Sequence, residues 1–144
     1  MIEQDTIRLL RECDAGIKMG VSAIDEVMDS AQDETMRSTL SRCKKEHEKL
    51  KESLQSALDR FGDEGKNPNP MAKVMSTAKT NMELMMKPTD ATIADLITDG
   101  CNMGVKSLSK YLNEYKAADE SAKDACKKLI ALEEQLAKDL RGYL

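Results

Sequence analysis

Apolar residues recur along most of the chain at steps of three and four, the spacing of a helix that buries one face. The first such stripe predicts helix A, from just after Asp5 to about Ser30. Its apolar positions are Ile7, Leu10, Cys13, Ile17, Val21, Ile24 and Met28. The second stripe predicts helix B, which is capped by Asp33 and ends at Gly62. Its positions are Met36, Leu40, Cys43, His47, Leu50, Leu54, Leu58 and Phe61.

Two more stripes follow in the second half of the chain. Helix C is predicted to start at a capping Asp90 and to run to about Tyr115, and helix D is predicted to be capped by Asp119. The stripe of helix C consists of Ile93, Ile97, Cys101, Gly104, Leu108 and Tyr111. The stripe of helix D consists of Ala122, Cys126, Leu129, Glu133, Leu136, Leu140 and Tyr143.

The two halves of the chain share a pattern. The motif G-x-x-M-G-V begins at Gly16 in helix A and again at Gly100 in helix C. After the following turns, Asp33 aligns with Asp119 at a slightly longer offset, and leucines of helix B then align with leucines of helix D. The sequence therefore predicts that A–B and C–D are two copies of one helical hairpin.

The linker between the hairpins, residues 62 to 89, is too long for a tight turn. It contains a predicted amphipathic helix that starts at Pro70 and is closed by Pro88. A helix of this length spans roughly 25 Å, enough to return the chain to the end at which helix B begins. We therefore predict one all-α domain over residues 1–144: a four-helix bundle with an extra short helix in the long B–C crossover.

Composition narrows the classes of function. Aromatic residues make up 3% of the 144 residues, so the core must be built mainly from aliphatic side chains and methionine. A net charge of −4 with interspersed signs argues against a nucleic-acid surface. No apolar run approaches the ~18 residues of a membrane span, and no secretion signal is visible. Four cysteines without C-x-x-C spacing indicate reduced thiols in a cytoplasm.

A glycine-containing stretch midway along helix A, CDAGIKMGVSA, and a short helix in the B–C crossover carry a resemblance to a known family. The chain resembles the ferritin-like superfamily, and in layout it is closest to small bacterial ferritin-like domains of unknown function. The resemblance implies a bundle with one long crossover. In di-iron members, two helices each supply a Glu and the other two each supply a Glu-x-x-His motif.

The di-iron pattern is largely missing from this chain. His47 stands where the motif's histidine would lie, but Lys44 replaces the preceding glutamate. Glu133 aligns with His47 in the repeat, and Ile130 stands three residues before it. The inward positions midway along helix A are Ile17, Gly20 and Val21. Those of helix C are Gly100, Cys101 and Gly104. We therefore expect no di-iron centre, no cofactor and no enzymatic activity, but a structural or interaction protein.

Two polar residues on otherwise apolar stripes leave alternatives open. The favoured interpretation is that His47 and Glu133 hydrogen-bond to each other, or to water, in the core, while glycines let helices A and C approach closely. The alternative is a metal-binding or redox protein in which Cys43, Cys101, His47 and Glu133 hold one ion such as zinc. A third possibility is a small-ligand cavity beside the glycines.

The crossover helix contains five methionines. The favoured interpretation is that these flexible side chains fill gaps between this helix and the bundle. Convergent thioethers would instead favour a soft metal such as copper(I). An apolar outer face would favour a partner or a second copy. We predict a homo-oligomer, with the crossover helix as a candidate interface.

Overall fold

The computed structural model describes residues 2–144, which form helices joined by loops and contain no strand. The helices are α1 (Ile2–Met28), α2 (Glu34–Arg60), α3 (Pro70–Met86), α4 (Asp90–Glu114) and α5 (Glu120–Leu140), followed by a 3₁₀ turn at Arg141–Tyr143. The predicted helices A, B, C and D correspond to α1, α2, α4 and α5, and the crossover helix corresponds to α3. The all-α class is therefore confirmed.

The predicted caps at Asp33 and Asp119 are confirmed. The side chain of Asp33 accepts a hydrogen bond from the backbone N–H of Met36, and that of Asp119 accepts one from Ala122. Each bond satisfies a backbone donor that the start of a helix leaves without an intrahelical partner. Gly62, which was predicted to end helix B, follows α2 in a left-handed conformation with φ +68°.

Two predicted helix starts are wrong. The first helix begins at Ile2 rather than after Asp5, because nothing in its first turn breaks a helix and acidic residues are favourable there. The cap of α4 is Thr89 rather than Asp90, since the Thr89 hydroxyl accepts a hydrogen bond from the N–H of Thr92. Asp90 lies one residue further on and is free to contact another part of the chain.

The path of the crossover can be followed along α1. In chain order its polar contacts are Asp63 with Arg11, Asn67 with Lys18, Thr77 with Glu26, and Asp90 with Gln32 and Asp33. The carboxylate of Asp90 accepts hydrogen bonds from the backbone N–H groups of Gln32 and Asp33, just before α2. Helix α4 therefore starts at the end where α2 starts and runs parallel to it, as predicted.

The core consists of two apolar clusters, and α1, α2, α4 and α5 contribute to both. The first lies towards the α1–α2 turn and includes Ile24, Met36, Leu40, Ile93, Ile97 and Leu140. The second lies towards the other end and includes Leu9, Ile17, Leu54, Leu58, Leu108 and Leu129. Burying each large side chain contributes roughly 1.5–3 kcal/mol, so these clusters are the main source of stability.

Helix α3 packs against α1 and α4 and contributes Leu84 to the first core cluster, while most of its apolar side chains are turned away from the bundle. Its inward face carries Thr80 and Leu84, and the hydroxyl of Thr77 donates a hydrogen bond to Glu26. Its methionines and Val74 are 60–85% exposed. The prediction that these methionines pack onto the bundle is wrong, because the opposite face of the helix contacts the bundle through buried Leu84 and the Thr77–Glu26 hydrogen bond.

A buried carboxylate anchors the loop before α3. Asp14 has no exposed surface. Its Oδ2 accepts a hydrogen bond from the backbone N–H of Lys66 at 3.1 Å and lies 2.8 Å from the Lys18 ammonium. Gly65 crosses directly over this oxygen with φ +90°, and an added Cβ would collide with it.

Replacing Gly65 with alanine is expected to destabilise the fold by about 2–4 kcal/mol, because the new methyl group meets both the left-handed backbone and Asp14. Gly62→Ala is the matched control, since Gly62 is also left-handed but has nothing within 4 Å of an added Cβ. The control should lose about 1–2 kcal/mol. Urea unfolding measures both, and equal losses would show that the loop is not seated on Asp14.

Candidate functional site: a buried histidine–glutamate pair

His47 of α2 and Glu133 of α5 meet in the middle of the core. His47 Nε2 lies 3.0 Å from Glu133 Oε1. His47 has no exposed surface and Glu133 is 8% exposed. Their helices place them between the two apolar clusters, with Cys43 and Leu136 of the first cluster on one side and Leu54 and Leu129 of the second on the other. The predicted hydrogen bond between the two residues is confirmed.

The second nitrogen of His47 is also engaged. Nδ1 lies 2.8 Å from the carbonyl oxygen of Cys43, and since a carbonyl only accepts, Nδ1 carries a proton. Burial disfavours the charged ring, but hydrogen bonds with Cys43 and Glu133 outweigh that effect and raise the pKa of His47 to about 10. At neutral pH the ring is therefore an imidazolium that donates from both nitrogens.

The cysteines are divided between the two apolar clusters. Cys43 and Cys101 belong to the first, while Cys13 and Cys126 belong to the second, so the four thiols form no single group. Burial and the neighbouring Glu133 carboxylate both raise the pKa of Cys101, so its thiol stays protonated.

Two glycines adjoin the ion pair, and an added Cβ would be tight at Gly20 but would make an ordinary contact at Gly104. A Cβ added to Gly20 of α1 would lie 3.0 Å from His47 Nε2 and 3.3 Å from Glu133 Oε1. A Cβ on Gly104 of α4 would lie 3.5 Å from Glu133 Oε2. All four long helices therefore contribute to one polar layer.

The other two glycines of the repeated motif lie away from this layer. An added Cβ on Gly16 would make only ordinary contacts with leucines, and one on Gly100 would meet nothing within 4 Å. The prediction that all four glycines are there for close packing is therefore wrong for Gly100, which is exposed.

The structure brings the residues predicted as possible zinc ligands together only in pairs. Within residues 2–144, no three side chains of His, Cys, Asp or Glu converge as metal ligands. Of the predicted zinc set, His47 contacts Glu133, and Cys43 Sγ lies 3.5 Å from His47 Nδ1, a nitrogen that already carries a proton. Lys44, at the position of a di-iron glutamate, instead forms an ion pair with Asp25 at 2.7 Å.

Asp14 is the buried polar residue that the sequence pattern missed. It lies four residues after Leu10 and three before Ile17, which is a signal for the buried face of α1. Its Oδ1 is buried and, within the described part of the chain, has no hydrogen-bond partner. Its other oxygen is occupied by the crossover loop, so Asp14 acts as an anchor for that loop.

A second candidate feature is the outer surface of α3. We call it the α3 apolar face, and it consists of Met71, Val74, Met75, Ala78, Met82, Met85 and Met86. All seven residues are exposed and lie on the side of the helix opposite Thr80 and Leu84. A contiguous apolar surface of this kind is typical of an interaction site.

Comparisons of the chain with protein-family models, with curated proteins and with solved structures give no match. Among residues 2–144, no helix combines the length and the apolar character needed to span a membrane.

Proposed function

We propose that this chain is a ferritin-like four-helix bundle without a di-iron centre and that it acts as a non-enzymatic interaction protein. The observation that carries the proposal is the α3 apolar face, whose methionines point into solvent while the opposite face of the helix holds the bundle. Large exposed apolar surfaces are rare on proteins that act alone. The contact partner that best fits the prediction from sequence is another copy of the chain.

The buried pair supports a structural role for the middle of the core. His47 is the single histidine of the chain, it has no exposed surface, and both of its nitrogens donate hydrogen bonds within the protein. A general base must reach a proton of the substrate, and this ring is held away from any substrate. The pair instead ties α2 to α5.

Ferritin-like ancestry by duplication is supported by the symmetry of the polar layer. His47 and Glu133 occupy aligned positions of the two hairpins and are hydrogen-bond partners. Gly20 and Gly104 are likewise aligned, and both adjoin the pair. The crossover that makes α4 parallel to α2 is the connection expected for a ferritin-like bundle.

A cytoplasmic location is part of the same proposal. All four cysteines are buried, and each remains a free thiol. They come from four different helices and lie within apolar clusters, where cysteine serves as a small apolar side chain. This usage suits a reducing compartment.

Placing charges on the α3 apolar face is the direct test. The double variant Met75→Glu/Met82→Glu should lose self-association, with at least a tenfold weaker dimer, because both side chains are exposed and would be buried only in a complex. Light-scattering mass across a concentration series measures the change, and circular dichroism should show an unchanged fold. Ser53→Glu/Ser56→Glu, on an exposed part of α2, adds the same charge and should leave the mass unchanged.

Metal content tests the alternative of a metal-binding or redox protein. Protein purified without chelator is expected to contain no stoichiometric metal, since both ring nitrogens of His47 are occupied by hydrogen bonds. Elemental analysis of the wild type and of a His47→Ala variant makes the comparison. Stoichiometric zinc or iron that disappears in the variant would establish the alternative in place of the proposed structural role.

A further inference from the structure

We propose that the α3 apolar face is the seam of an antiparallel helix pair, formed with α3 of a second copy and centred on Ala78. This inference rests on the proposed function, which states only that the face is an interface. It adds the identity of the partner, the direction in which the two helices run and the residue at the twofold axis.

The spacing of the face is that of a coiled-coil seam. Met71, Met75, Ala78, Met82 and Met85 follow one another at steps of four, three, four and three residues. This alternation is the repeat that brings two helices into continuous side-chain contact. Val74 and Met86 lie beside the seam and widen it, while the inward face keeps Thr80 and Leu84 against the protein's own bundle.

The seam is nearly the same when read in either direction. Met71 and Met85 lie seven residues before and after Ala78, and Met75 and Met82 lie three before and four after it. A twofold axis at Ala78 therefore places Met71 of one copy on Met85 of the other. Symmetric dimers need such a self-complementary patch. The small side chain of Ala78 lets the two helices approach closely at the axis.

The charges on α3 are compatible with this contact. The helix carries Lys73, Lys79 and Glu83 as its charged residues, and none of them occupies a seam position. Lys79, beside the seam, lies 4.0 Å from Glu83 and 3.8 Å from Asp99 of α4. Bringing two copies together therefore buries no unpaired lysine at the centre of the interface.

The size of the face also fits a dimer. The five methionines and Val74 are 60–85% exposed. They present on the order of 800 Å² of apolar surface, which is about what one partner contributes to a stable interface. Methionine side chains are flexible enough to interdigitate across a symmetric contact. A second copy thus covers the face without any additional partner.

Single cysteines on the seam test the geometry. In an antiparallel pair Ala78→Cys should form a disulfide-linked dimer under mild oxidation, at least tenfold faster than Ser53→Cys on the exposed side of α2. Met71→Cys and Met85→Cys should not link to themselves, because fourteen residues of helix separate the two copies of each site by roughly 21 Å. An equimolar mixture of these two variants should give the mixed dimer. The native cysteines are buried, and the unsubstituted chain controls for their reaction.

Other outcomes overturn the inference in distinguishable ways. Self-linking of both Met71→Cys and Met85→Cys would show a parallel pair, and a dimer in which Ala78→Cys fails to link would place the contact elsewhere. A monomer that binds vesicles of anionic phospholipid, and loses that binding in Met75→Glu/Met82→Glu, would overturn the second copy but keep the proposed interaction role. If the protein is a monomer and Met75→Glu/Met82→Glu changes neither its mass nor its vesicle binding, both the dimer and the proposed interaction role are overturned.

Discussion

Replacing Glu133 with leucine is expected to destabilise the fold by about 3–5 kcal/mol, the loss typical of removing one partner of a buried ion pair. The carboxylate lies 3.0 Å from His47 Nε2, and His47 has no contact with solvent. Without Glu133 the ring must either remain charged without a partner or release its proton and leave a buried nitrogen unpaired. Urea unfolding followed by circular dichroism measures the loss.

The matched control removes both partners. His47→Leu/Glu133→Leu replaces the pair with two apolar side chains between the existing clusters and should recover most of the stability lost in the single variant. The two single variants and the double variant form a cycle whose coupling energy reports the pair itself. Additive losses would show that His47 and Glu133 are adjacent without being energetically coupled.

The pH dependence of the same variants gives an independent check with a defined sign. The pKa of His47 is about 10 in the folded protein and about 6.5 in an unfolded chain. The folded state therefore binds more protons between these values. The stabilisation is fully present below about pH 6.5 and is lost as the pH rises through 10. The His47→Leu/Glu133→Leu variant should lack this decline. It differs from the wild type in no titrating group other than His47 and Glu133.

Much of this architecture is readable from residue spacing, because a buried helical face imposes its period directly on the sequence. The stripe of α2 placed His47 among apolar neighbours, and the aligned stripe of α5 placed Glu133 at the same depth. Since buried polar groups need partners, their hydrogen bond followed from those two positions. The caps at Asp33 and Asp119 followed from equally local chemistry.

The orientation of α3 could not be read in the same way. Periodicity shows that Met71, Met75 and Met82 share one face, but an apolar face is equally well covered by the protein's own bundle or by another molecule. The choice depends on contacts between distant segments, such as Thr77 with Glu26. The depth of Asp14 was missed for a similar reason, because the loop that covers it is separated from it by the whole of α2.

The polar layer also explains the glycines of the repeated motif, which weaken a helix by about 1 kcal/mol each. Two of the four, Gly20 and Gly104, lie against the ion pair, but an added Cβ would be tight only at Gly20. Gly100 meets nothing within 4 Å, and nothing in the structure explains why glycine is retained there. The motif therefore restricts side-chain size at Gly20 of α1, whereas the aligned Gly104 of α4 has room for a Cβ.

Gly20→Val is therefore expected to destabilise the fold by about 2–4 kcal/mol. Its Cβ would lie 3.0 Å from His47 Nε2 and 3.1 Å from Cδ2, closer than side chains ordinarily pack. His47 cannot turn aside, because both ring nitrogens are held by hydrogen bonds to Cys43 and Glu133. Urea unfolding at pH 7 measures the loss.

Gly100→Val is the matched control, because it makes the identical substitution at another glycine of the repeated motif, also in the middle of a long helix. With open space around its Cβ, it should leave stability unchanged or raise it by a few tenths of a kcal/mol through better helix propensity. Gly20→Val should also lose less in the His47→Leu/Glu133→Leu background, since leucine side chains can shift where a doubly hydrogen-bonded ring cannot. Equal effects of the two valines would mean that Gly20 does not adjoin the buried pair, and that helix packing alone accounts for the glycine.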